Sequence, residues 1–153
     1  MRVGVISDTH GFFDSRVLAH FAGVEHIIHA GDIGNGLILR RLQALAPVTA
    51  VTGNVDWGGP LDGEYGRSIS MDLGGCRIYV THIGNAPKKL ILHLPEPRPD
   101  VFVYGHSHIP VLEHIEGVLF LNPGAAGKPR FGRGPSVAIL ELASVPTAKL
   151  VML

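Results

Sequence analysis

Arg2-Val3-Gly4-Val5-Ile6-Ser7-Asp8-Thr9-His10 opens the chain as an apolar run that ends abruptly in a carboxylate and an imidazole. Residues 2–7, rich in Val and Ile, read as a buried strand. The pattern then repeats. Residues 15–22 place Val17, Leu18 and Phe21 at helical spacing with Ser15 at the N-cap position. Residues 25–29 form a second short strand. Residues 37–45 make an amphipathic helix that stops before Pro47, and residues 48–51 a third strand. Strand–helix–strand–helix–strand argues for a parallel sheet with crossover helices.

Beyond this the pattern changes. Residues 67–73 and 77–81 flank Gly74-Gly75, a hairpin turn signal. Residues 88–94 have room for one or two helical turns, and residues 101–104 are again a buried strand. Residues 111–115, a turn at Glu116-Gly117, and residues 118–121, 137–142 and 148–152 read as strands. The second half is therefore expected to be mostly antiparallel. Residues 56–66, with Gly58, Gly59, Pro60, Gly63 and Gly66, read as a long loop rather than a domain linker. Two sheets packed face to face, with helices outside, accommodate both halves.

The 153 residues fit one domain, residues 1–153. A domain of this size buries roughly 70% of its unfolded surface, so it needs no staples. Formal net charge is zero and the pI is about 7.1, which disfavours a nonspecific nucleic-acid surface. The single cysteine, Cys76, excludes an intramolecular disulfide and fits a reducing compartment. No apolar run is long enough for a signal peptide or a membrane span, so a cytoplasmic location with no membrane partner is expected.

The histidines sit where chemistry would need them. Asp8 and His10 follow the first strand, Gly31-Asp32 the second and Gly53-Asn54 the third. His82 follows the hairpin strand, and Gly105-His106-Ser107-His108 follows the strand ending at Tyr104. Parallel strands present their carboxyl ends along one edge, where ligand sites form. Two Asp, one Asn and four His converging there are wrong for a hydrophobic core and right for metal ions. Imidazole, carboxylate and amide oxygen suit Mn, Fe, Ni, Co or Zn, and the lack of thiolates argues against a structural zinc. Taken singly, each motif also reads as an ordinary turn. The specificity lies in the combination.

Asp8-Thr9-His10, Gly31-Asp32, Gly53-Asn54-Val55-Asp56, Thr81-His82 and Gly105-His106-Ser107-His108 resemble the calcineurin-like metallophosphoesterases, above all their small single-domain bacterial and archaeal phosphodiesterases. Asn122-Pro123-Gly124 and Pro129-Arg130 resemble motifs after that group's late strand, so the resemblance runs from Met1 to about Arg130. It implies an α/β fold, a four-layer αββα sandwich of two mixed β-sheets flanked by helices. It also implies two divalent transition-metal ions, Mn foremost with Ni, Fe, Co or Zn as alternatives. The first would be held by Asp8, His10, Asp32 and His108, and the second by Asp32, Asn54, His82 and His106. Asp32 bridges both, and Asp32 and Asn54 are the residues assigned to catalysis. The implied reaction is hydrolysis of a small-molecule phosphodiester by a hydroxide bridging the two ions; a homo-oligomer is compatible with it. The alternative from the same superfamily is a catalytically weak protein-binding scaffold with a degraded metal site, against which the intact ligand set argues.

Two departures stand out. Many relatives carry a proton-donating His after the motif Asn; here the position is Val55, and Asp56 loses that partner. After His82 the chain runs Ile83-Gly84-Asn85, unlike the common pattern. Among the remaining residues, His29 reads either as a hydrogen-bonded strand histidine or as a group orienting a ligand. Trp57 either walls the pocket or plugs an apolar gap. Arg130 and Lys128 are solvated cations or phosphate contacts. His20, His26, His93, His114 and Cys76 carry no motif.

Overall fold

In the computed structural model, which describes residues 1–130 and 132–153, the first three strands are β1 (Arg2–Ile6), β2 (His26–His29) and β3 (Val48–Ala50). Helices α1 (Arg16–His20) and α2 (Gly36–Gln43) link them. β1, β2 and β3 pair in parallel. β9 (Ser136–Glu141) then runs antiparallel to β1, and β10 (Thr147–Met152) antiparallel to β9, completing the order β10-β9-β1-β2-β3. The second sheet has the order β4-β5-β6-β8-β7, with β4 (Ser68–Leu73), β5 (Cys76–Thr81), β6 (Val101–Val103), β7 (Val111–Ile115) and β8 (Val118–Asn122).

Side-chain alternation along the strands decides the layering. Val3 and Val5 of β1 and Ala138 and Leu140 of β9 meet Ile78 and Val80 of β5, Val101 and Val103 of β6, and Leu119 and Leu121 of β8 in one core between the sheets. The intervening residues point outward. Ile27, Val137 and Ile139 pack with Val17 and Phe21 of α1 and Ile38, Leu39 and Leu42 of α2. Phe102, Tyr104 and Phe120 pack beneath Leu90 of α3 (Pro87–Leu90) and Ile91. Helices thus cover the outer face of each sheet, an αββα sandwich as expected.

The second half is mostly antiparallel, as expected: the β4–β5, β7–β8 and β9–β10 hairpins and the β1–β9 pair run antiparallel, but β5 pairs with β6, and β6 with β8, in parallel. Short apolar runs do not distinguish the two directions. The segment carrying α3 returns the chain outside the sheet, so β6 enters in the same sense as β5. Helix caps differ too. The Ser15 side chain makes no cap; Asp14 accepts from the Arg16 N–H instead, whereas Asn35 caps α2 through the Leu37 N–H. Among the described residues no helix is long and apolar enough to cross a membrane.

Candidate metal centre

Because β1, β2 and β3 run in parallel in one sheet, and β5 and β6 in the other, five strand ends meet at one edge of the sandwich. All seven expected residues arrive there. Asp8, His10 and His108 form one group of ligand atoms mutually within 4.8 Å, and Asp32, His82 and His106 a second. Nε2 of His10 and Nε2 of His108 face each other at 3.2 Å, and Asp8 Oδ1 lies 3.2 Å from His108 Nε2. Asn54 joins the second group through Oδ1, 3.2 Å from His106 Nδ1.

Three of these residues show the same division of labour. Oδ2 of Asp8 accepts from the Ser7 hydroxyl at 2.7 Å and from the His106 N–H at 3.1 Å, leaving Oδ1 for the centre. Oδ1 of Asp32 accepts from the Val55 N–H at 3.0 Å, while Oδ2 lies 3.2 Å from His82 Nε2 and 3.6 Å from His10 Nε2. His82 donates Nδ1–H to the Ala30 carbonyl at 2.7 Å, which leaves the Nε2 lone pair facing both carboxylates. Asp8 Oδ1 and His82 Nε2 are buried and make no hydrogen bond among the described residues. Buried polar atoms ordinarily have partners. A cation fits both atoms, and the outer hydrogen bonds are of the kind that orient metal ligands.

The backbone is bent to achieve this. Asp8, His10, Asp32, His106 and His108 have φ between 48° and 69°; the only other described non-glycine residue with positive φ is Glu116, in the β7–β8 turn. Each such residue costs about 1–3 kcal/mol, a strain that persists where surrounding structure enforces it and that clusters at functional sites. Close approach explains two of the neighbouring glycines. A methyl at Gly53 would run into Asp32 Oδ1, and one at Gly105 into the Ser7 hydroxyl and Asp8 Oδ2.

Electrostatics follow from the packing. Burial pushes the Asp8 carboxyl up, but His10, Ser7, His82 and His108 outweigh it and hold the group below the usual carboxylate range. Asp32 is lowered in the same way, with burial opposed by His82, the Val55 N–H and His10. Burial lowers His82, but Asp32, Asp8 and the Ala30 carbonyl reverse the sign and raise it.

A cleft of about 320 Å³ opens onto His10, Asp32, Asn54, His106 and His108, with Val55 and Arg130 also on its walls. Arg130 thus borders this cleft, whereas Lys128 Nζ sits 5.8 Å over the Phe12 ring and outside it. Neither reading of Trp57 holds: the residue is 38% exposed, and its ring lies under the Arg67 guanidinium at 4.3 Å, away from the cleft walls. Cys76 is buried and donates to the Ala143 carbonyl, and burial raises its thiol pKa.

Sequence reasoning missed the loop-holding roles of Asp56 and Asn122, and read His29 as a hydrogen-bonded strand histidine or a group orienting a ligand. Asp56 accepts from the N–H groups of Ile33, Gly34 and Gly53, tying the loop after β2 to the loop after β3. Asn122 donates to the Gly105 carbonyl and the Ser107 hydroxyl and accepts from the Gly124 N–H. Its place at the end of β8, before Pro123-Gly124, was the available sign. His29 is fully buried. Its Nδ1 accepts from the Gly31 N–H, so Nε2 carries the proton and donates to Thr9 Oγ1, whose hydroxyl donates to the Ile33 carbonyl. Burial lowers the His29 pKa to about 4. The hydrogen bonds of His29 run to Thr9 and Gly31 and brace the loops that carry Asp8, His10 and Asp32.

Comparison with known proteins decides the family. The calcineurin-like phosphoesterase superfamily domain matches residues 1–144. The chain belongs to this superfamily. It is 35% identical, over 156 aligned positions, to a probable metallophosphoesterase of Methanothermobacter thermautotrophicus, covering 93% of this chain and 86% of that one. The solved structure of an archaeal phosphodiesterase superposes with a TM-score of 0.77 at 26% identity, covering 100% of both chains. Vacuolar protein sorting 29 of Cryptosporidium parvum shares the fold, with a TM-score of 0.78 at 19% identity over 99% of this chain and 97% of that one. This superfamily member therefore has the metallophosphoesterase fold and, at the shared strand ends, two groups of residues suited to metal ions.

Proposed function

We propose that residues 1–153 form one domain that hydrolyses a phosphodiester with two divalent metal ions. Asp8, His10, Asp32 and His108 would hold one ion, and Asp32, Asn54, His82 and His106 the other. The observation that supports this best is the pair of buried atoms, Asp8 Oδ1 and His82 Nε2, that point at the centre without a hydrogen bond among the described residues. The donor set suits Mn foremost, and Fe, Co, Ni or Zn as well. When bound, such ions polarise phosphoryl oxygens and acidify water.

The chain's own residues account for the remaining roles. Asp32 turns one oxygen toward both ligand groups, so a single carboxylate would couple them. The Asn54 amide oxygen adds a neutral donor that leaves the site with less negative charge than a third Asp would. Arg130, on the cleft wall, would pair with phosphate oxygens. Val55, also on the wall and 49% exposed, has no proton to give, so the leaving oxygen would take its proton from water. Diesters with good leaving groups are therefore favoured. A scaffold role, as an alternative, would not need the strained, fully populated ligand set.

The test is direct. Purified protein should carry about two ions per chain by elemental analysis. Chelation should abolish hydrolysis of bis(4-nitrophenyl) phosphate, and Mn²⁺ should restore it. Undiminished turnover by metal-free protein would sink the reading.

A further inference from the structure

We infer that the cleft takes a phosphodiester with two ring-sized ester arms, one in each of two cavities that flank the metal centre; this rests on the phosphodiesterase reading above. The first cavity, about 420 Å³, is lined only by residues 84–113 and shares His106 and Ser107 with the central cleft. The second, about 390 Å³, is lined only by residues 34–64 and shares Val55 with it. One therefore lies on the side of the second sheet and the other on the side of the first, with the cleft between them. Both volumes fall in the range of about 300–1,000 Å³ usual for small-molecule sites.

The linings fit arms of this kind. In the first cavity Tyr104, Pro87, Ile109 and Val111 give apolar walls, and the Glu113 carboxylate disfavours a second anion. In the second, Leu61, Pro60 and Val55 give the apolar surface, and Arg40 and Glu64 supply charges of both signs. A phosphorus atom seated among His10, Asp32 and His106 would send its two ester oxygens toward different halves of the chain. A monoester leaves one cavity filled with water. A small cyclic diester carries both oxygens in one ring and cannot enter both cavities. The substrate class is thus an open diester with two bulky, hydrogen-bonding but uncharged arms.

The kinetic test compares bis(4-nitrophenyl) phosphate with methyl 4-nitrophenyl phosphate on the metal-loaded enzyme. KM should be about ten-fold lower for the diester with two rings, because burying the second ring adds binding energy. Val111→Trp narrows the first cavity. Gly36→Trp projects toward Leu61, whose Cδ2 is 3.7 Å from a Cβ at Gly36, and narrows the second. Each should raise KM for the two-ring diester about five-fold or more. Equal KM values for the two substrates in wild type would overturn the inference. An independent reading uses metal-free wild-type protein and benzyl alcohol as a neutral stand-in for one arm. Its titration should shift the methyl resonances of both Val111 and Leu61, and shifts in neither or in only one would overturn the two-armed site. Loss of hydrolysis with both shifts present would sink the phosphodiesterase reading and leave the two-armed site standing. Hydrolysis with neither shift would do the reverse.

Discussion

Asp32 accepts the backbone N–H of Val55 at 3.0 Å through Oδ1, and this bond turns Oδ2 toward both ligand groups at once. One residue thus joins the loop after β2 to the loop after β3 and stands between the two groups of ligand atoms. Asp32→Ala should empty both sites, whereas Asn54→Ala should keep about one ion per chain, since Asn54 faces only the second group. Metal content by elemental analysis decides it. Equal and full occupancy in both variants would remove the ligand assignment.

Val55 is half exposed on the cleft wall and offers no proton. General acid catalysis is typically worth about 10²–10⁴-fold, and its benefit grows with the basicity of the leaving group. Rates across a series of aryl phosphodiesters should therefore fall steeply as the leaving-group pKa rises. Val55→His should flatten that slope if its imidazole reaches the leaving oxygen. A shallow slope in the unaltered protein would mean that another group already donates.

His29 links folding to pH. Its folded pKa, about 4, lies below the unfolded value of 6.5 because burial of the ring outweighs the attraction of the Asp8, Asp56 and Asp32 carboxylates. The unfolded chain takes up a proton first as pH falls. The stabilisation is therefore complete above 6.5 and is lost progressively as pH drops toward 4, by about 3 kcal/mol in all. His29→Gln keeps an acceptor for Gly31 and a donor for Thr9 but does not titrate. Urea unfolding of the metal-free proteins should show the pH-dependent loss in this window shrinking in the variant. Parallel curves for the two proteins would refute it.

Asp56 receives three backbone N–H groups at 2.9–3.0 Å from two different loops. Hydrogen bonds to a charged acceptor contribute about 1.5–3 kcal/mol each, and buried donors left without a partner add a desolvation cost. Asp56→Ala should lower unfolding free energy by about 3 kcal/mol or more and weaken metal binding, although Asp56 is not among the ligands. Calorimetry and metal titration on the same sample check both. A stable variant with unchanged metal affinity would show that the clamp is dispensable.

Much of this was legible in the order of residues. Strand-sized apolar runs ending in Asp8, Asp32, Asn54, His82 and His106 could be read directly, because strand period and a polar stop are local properties. So could the first parallel sheet, whose helices sit between its strands. Three things were decided only by tertiary structure. The parallel pairing of β5 with β6 depends on where the α3 segment carries the chain, and that of β6 with β8 on the excursion through β7, neither of which the apolar runs themselves encode. The positive φ of Asp8, His10, Asp32, His106 and His108 exists only because neighbouring loops hold the strain. The roles of Asp56, Asn122 and His29 depend on backbone N–H and carbonyl groups from segments distant in sequence, and every residue but proline presents the same backbone groups. The residue types therefore determined which chemistry the strand ends can carry. Which oxygen of each carboxylate turns toward the centre was decided by the backbone donors that occupy the other.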